Sequence, residues 1–215
     1  MIKTSDLVEA LVADARPVRR LRPPAQRAAL WLLLPALIFA LLALGHGMRP
    51  DLPQRMTQPD FVVGMAASLM TGVLAAIAAF MLNLPDRSRA WALLPVPALA
   101  VWLSTLGRAC LLNWVSLGPD GIQLAETARC FATVLITSLP LSLALFAMLR
   151  RGSLLQPRAV TLTGSLAVAA MTATAMAIFH NLDATVLILI WNLAPAALIV
   201  ALGGVLGLRL GGAGR

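Results

Sequence analysis

The long apolar runs of this chain contain no aspartate, glutamate, lysine, arginine or histidine. Transporters couple ions and hold substrates with ionisable groups inside their spans, so this absence argues against a permease or channel. Charge is scarce overall: 12% of the 215 residues are charged and 60% are hydrophobic, too little polar surface to cover a soluble globule. Also missing are a HExxH helix, a phosphate-cradling glycine-rich loop and a clustered acid pair. No histidine sits where a nucleophile within a span could use it. Enzymatic chemistry and a bound cofactor are therefore not expected.

What the chain does have is apolar length. A span takes about 20 residues, and such runs recur within about 28–46, 61–83, 90–110, 129–149, 159–180 and 184–208. A closed barrel would show alternating strands of about ten residues instead, so the runs are predicted to be helices. The expected fold is all-α: one integral domain of six transmembrane helices over 28–208. It is preceded by a cytoplasmic amphipathic helix and basic stalk over 1–27 and followed by a cytoplasmic tail over 209–215. Ala43-Leu44-Gly45 resembles a signal-peptide cleavage site, but the preceding region is long and carries three acids, so the first run is expected to be retained.

The formal charge of +8 sorts by loop. Thirteen of the 17 basic residues lie on the side of the N-terminus, and Arg49, Arg55, Arg108 and Arg129 lie on the other. This positive-inside bias predicts a bilayer protein with both termini cytoplasmic. The basic excess is topological, and direct nucleic-acid binding is not expected.

Prolines 35, 95, 97, 140 and 195 lie within the runs and predict kinks. Small residues at four-residue spacing, Gly64, Ser68 and Gly72, and again Gly203, Gly207 and Gly211, predict close helix packing within the bundle. Thr161, Thr163, Thr172 and Thr174 read as interhelical or back-bonded hydroxyls.

The longest outer segment, "RACLLNWVSLGPDGIQLAETARC", holds both cysteines around a Gly-Pro-Asp-Gly turn. Cys110 and Cys130 are each ten positions from residue 120, which makes a disulfide between them geometrically plausible in an antiparallel hairpin. Closing that loop would contribute about 3 kcal/mol in the chain-entropy model. Arg108 and Arg129 nearby favour thiolate, so a redox or thiophilic-metal switch is the alternative. His46 and His180 are weaker metal candidates at the outer ends of their spans; their spacing with the cysteines matches no compact motif.

The first residues pose a different problem. Thr4, Ser5 and Asp6 supply a helix start, and Asp6 with Glu9 forms an approximate capping pair. Leu7 and Leu11, with Val8 and Val12 beside them, form an apolar stripe that should run to about Ala15, before Pro17. Lipid-surface helices carry Lys and Arg on the polar face; this one carries Asp6, Glu9 and Asp14 and would be repelled by anionic lipid. It fits an apolar protein groove with a basic rim; the alternative is a solvated or weakly ordered tail that only sets topology. Arg16, Arg19, Arg20, Arg22 and Arg27 then read as a stalk at the leaflet, stiffened by Pro23-Pro24.

The combination of "DLVEALVADARPVRRLRPP", the following "AALWLLLPAL" span, six spans and a cysteine on either side of the third outer turn resembles the NrsF-type family of membrane anti-sigma factors. The resemblance implies a negative regulator that holds an extracytoplasmic-function sigma factor at the bacterial inner membrane and releases it on a redox, heavy-metal or envelope signal. By that resemblance Asp6, Leu7, Leu11, Asp14, Pro17, Arg19 and Arg20 would bind the sigma factor, and Cys110 and Cys130 would sense the signal. Unlike common anti-sigma factors, the chain has no separate cytoplasmic domain, so inner loops 86–89 and 150–158 are candidates to assist. The competing readings are a small-solute or metal permease and a membrane scaffold subunit.

Overall fold

The structure, a computed structural model, describes residues 4–13, 22–45, 47–113, 124–150 and 157–179. These are mostly helical, with no strand among them. Helix α1 covers Thr4–Ala13. The first long helix, α2, runs Pro24–Gly45, with Pro24 at the first position, where its missing N–H costs nothing. A turn through Gly47, whose φ of 73° is the left-handed conformation that glycine tolerates, leads to the single-turn helix α3, Leu52–Arg55. Pro53 near its start nucleates this helical turn.

Helix α4, Pro59–Leu82, again opens on proline. Helix α5 is Val96–Asn113, α6 is Leu124–Leu149 and α7 is Pro157–Phe179. Five helical segments are thus long and apolar enough to cross a membrane. They coincide with the first five expected spans; the sixth, 184–208, lies outside the described residues.

The third expected span departs from a single helix. It begins as a 3₁₀ turn, Arg89–Leu93, capped by Ser88, whose hydroxyl accepts the Ala90 N–H at 3.3 Å. Only then does α5 start. Pro95 and Pro97 lack the N–H groups an α ladder across this junction would need, so these prolines set where the helix begins rather than kinking its interior. Pro35 and Pro140 do lie inside helices, in α2 and α6. Pro195 lies outside the described residues.

Helices α4 and α7 form the central pair; α5 packs on α4, while α2 touches α4, α6 and α7, and α6 packs on α7. Composition explains the arrangement. In a bilayer apolar residues gain little by leaving lipid, and small residues that admit close backbone approach collect at helix contacts. Accordingly α7, rich in Ala and Thr, has 72% of its span buried, and the Leu-rich α2 only 22%. The Gly64–Ser68–Gly72 stripe of α4 faces into the bundle. A side chain on Gly64 would meet Thr105 of α5 at 3.0 Å, and one on Gly72 would meet Met171 of α7 at 3.0 Å. Between them the Ser68 and Thr174 hydroxyls lie 2.9 Å apart. Gly203, Gly207 and Gly211 lie outside the described residues.

The buried α7 threonines divide in their hydrogen bonding. Thr163 and Thr174 donate to the carbonyls of Ala159 and Ala170 one turn earlier. Thr172 is fully buried with no hydrogen-bond partner among the described residues.

Candidate functional site

Helix α1 forms where the Thr-Ser-Asp start signal places it. Val8 and Val12 occupy successive turns of one face and are 53% and 69% exposed, and Glu9 is exposed beside them. No extensive packing joins α1 to the other described helices. A ten-residue helix is too short to be stable in water by itself, so its apolar face wants a surface to lie on. The side chains of Asp6, Leu7 and Leu11 lie outside the described set, as do residues 14–21 with Asp14, Pro17, Arg19 and Arg20.

The basic stalk meets the bundle differently from the sequence expectation. Arg22 is exposed, but Arg27 is only 6% exposed. It belongs to the first turn of α2 and turns inward. Its Nη2 donates to the Met148 carbonyl at the end of α6, and its guanidinium lies over the Phe80 ring of α4, 5.1 Å from the centroid. Asn83, just past the end of α4, donates from Nδ2 to the Leu149 carbonyl at 3.1 Å. The terminal carbonyls of a helix have no intrahelical donors and carry partial negative charge; at this end of α6 a cation and an amide satisfy two of them. One turn further along α2, Trp31, 1% exposed, donates its indole N–H to the Leu141 carbonyl of α6 at 3.2 Å. The first two turns of α2 are therefore fastened to the last third of α6.

A second clasp closes the opposite end. Arg49, an outer-loop cation in the sequence reading, is 4% exposed. Its Nε and Nη2 donate to both carboxylate oxygens of Asp51 at 2.7 and 2.8 Å. Its backbone N–H and Nη1 reach the Ile178 and Ala177 carbonyls at the end of α7, at 3.3 and 3.4 Å. The guanidinium also lies 5.9 Å from the Phe61 ring centroid. The hydrogen bond from Arg49 holds the Asp51 carboxyl down at about 2, with Arg55 adding a smaller contribution. Sequence reasoning missed Arg27, Arg49 and Asn83. The available signals were an arginine one turn before a tryptophan at the start of a span, and an Arg-Pro-Asp triplet after its end.

Cys110 falls in α5 and Cys130 in α6; their side chains lie outside the described set. Among the described residues α5 and α6 share no extensive packed face, α5 lying on α4 and α6 on α7 and α2. His46 and His180 also lie outside the described residues. No group of three or more metal-ligating side chains occurs among the described residues.

Comparison with known proteins gives a family match. A family model described as negative regulator of sigma F covers residues 11–210. It takes in Leu11, Asp14, Pro17, Arg19, Arg20 and both cysteines, and begins after Asp6 and Leu7. No curated protein and no solved structure matches the chain. Matched over most of its length, the chain belongs to the NrsF family, negative regulators of sigma F.

Proposed function

We propose that the protein is an inner-membrane anti-sigma factor whose N-terminal helix seats its apolar face in a groove of an extracytoplasmic-function sigma factor. The observation that carries this reading is the exposed Val8 and Val12 pair on a helix without extensive packing against the other described helices, in a chain whose family regulates sigma F negatively. Leu7 and Leu11 extend the contact, Asp6 and Asp14 face a basic rim, and Pro17, Arg19 and Arg20 form the stalk beside it. The positive-inside bias puts this helix in the cytoplasm.

Release follows from the anchor. Cys130 and the carbonyls held by Arg27 and Asn83 belong to the same helix, α6. A redox or metal event at Cys110 and Cys130 would shift α6, and the stalk fastened to its other end would move with it. A signal acts only through its different affinity for the two packings.

The test is gentle isolation of the tagged protein from native membranes. A Val8→Asp/Val12→Asp variant, a Leu7→Asp/Leu11→Asp variant and a Cys110→Ser/Cys130→Ser variant are handled alongside. A sigma factor should co-purify with the wild type and be lost from both helix variants, while the cysteine variant should retain it through oxidant or heavy-metal treatment that releases it from the wild type. Undiminished capture by both helix variants would refute the interface, and normal release from the cysteine variant would refute the sensor.

A further inference from the structure

A groove of about 470 Å³ runs between α6 and α7. Its walls are apolar, chiefly Leu145, Leu149, Val160 and Val168, with Gly164 in its floor. Arg150 stands at its mouth, at the same end of the bundle as Arg27, and no acid lines it. We propose that this groove binds one anionic glycerophospholipid, with an acyl chain between the helices and the phosphate at Arg150.

Three observations select that occupant. The first is depth. The lining runs from Arg150 to Ser142 on α6 and from Pro157 to Val168 on α7, which at 1.5 Å per residue is roughly 12–17 Å. One leaflet of a hydrocarbon core about 30 Å thick is of that length, so the groove accepts a chain entering from one side and stops near the midplane.

The second is charge. Arg150 and Arg158 are exposed at the headgroup end and make no ion pair among the described residues. Arg150 instead lies over the Phe146 ring, 6.0 Å from its centroid. Basic pockets between spans at the cytoplasmic face are suited to acidic headgroups. The third is polarity. Ser142, Thr161 and Ser165 line the groove and make no hydrogen bond among the described residues, whereas Ser68, Thr71, Thr137 and Thr163 are back-bonded to their own helices. Those free hydroxyls suit the glycerol and ester oxygens of a lipid.

The experiment is native mass spectrometry of the full chain in detergent, titrated with phosphatidylglycerol or with phosphatidylcholine of the same acyl chains. Each arginine beside an anionic headgroup is worth roughly fivefold, so the wild type should prefer phosphatidylglycerol by roughly tenfold or more. Thr161→Phe/Ser165→Phe, which fills the groove, should abolish the adduct. Arg150→Ala/Arg158→Ala, at exposed positions that the fold does not need, should keep an adduct and bring the preference close to parity. Equal retention of the two lipids by the wild type would overturn the proposal, as would an adduct that survives filling or a preference that survives loss of both arginines. So would absence of any adduct, which would leave the groove to residues of the chain itself, and a dimer that disappears on filling, which would assign it to a second copy.

Discussion

Replacing Arg27 by methionine keeps most of the stem volume and removes the guanidinium. The cost follows from its contacts. A hydrogen bond from a charged donor is worth about 1.5–3 kcal/mol, and here it reaches the Met148 carbonyl. A desolvated cation over an aromatic face adds about 1–2 kcal/mol, and the Phe80 ring lies 5.1 Å away. Against this stands the penalty of holding a charge away from water, several kcal/mol before compensation, which methionine does not incur. The expected net loss is about 1–3 kcal/mol. The cation–π part can be isolated by a double-mutant cycle with Phe80→Leu, for which a coupling of about 1 kcal/mol is expected. Reversible unfolding in mixed micelles, followed by circular dichroism, reads all four corners of the cycle. A coupling indistinguishable from zero, or an Arg27→Met protein as stable as the wild type, would show that the buried arginine does not fasten α2 to its neighbours.

The Asp51 carboxyl is lowered from 3.8 to about 2 by Arg49. A depressed folded-state value means that its contribution is present above about pH 4 and is lost as pH falls through about 2; Asp51→Asn should remove that part of the acid dependence in thermal unfolding scans between pH 2 and 5. In the core of α7, Thr172→Val replaces an unpartnered buried hydroxyl by a methyl and should be neutral or stabilising by up to about 1 kcal/mol. Thr174→Val breaks the contact with Ser68 and should cost about 0.6–1 kcal/mol; equal losses at the two positions would refute the distinction.

Much of the architecture was legible because a bilayer imposes a length on apolar runs. The runs within 61–83 and 159–180 correspond to Pro59–Leu82 and Pro157–Phe179, and the stripe of Gly64, Ser68 and Gly72 was readable as a packing face because four-residue spacing stacks residues on one side of a helix. Run length carries no information about hydrogen-bond supply, which is why the 3₁₀ turn before Pro95 and the short helix after Asp51 were not foreseen. That a helix precedes the first span was legible because its start residues and four-residue spacing are local. Its anchor was not: Arg27 looks like one more stalk arginine until α4 and α6 are brought beside it.

The sequence by itself determined that this is a helical membrane protein without ionisable groups in its apolar runs, which way charge bias would orient it, and where an amphipathic helix precedes the first span. These properties depend on composition and on contacts within a few residues. Only the tertiary structure decided that α7 rather than the more apolar α2 is central. It likewise decided that Arg27 and Arg49 are buried at opposite ends, and that α6 and α7 leave a leaflet-deep groove between them. The physical reason is that in lipid hydrophobicity does not sort helices into inside and outside; close fit and the satisfaction of helix-end carbonyls do, and both involve residues more than a hundred positions apart.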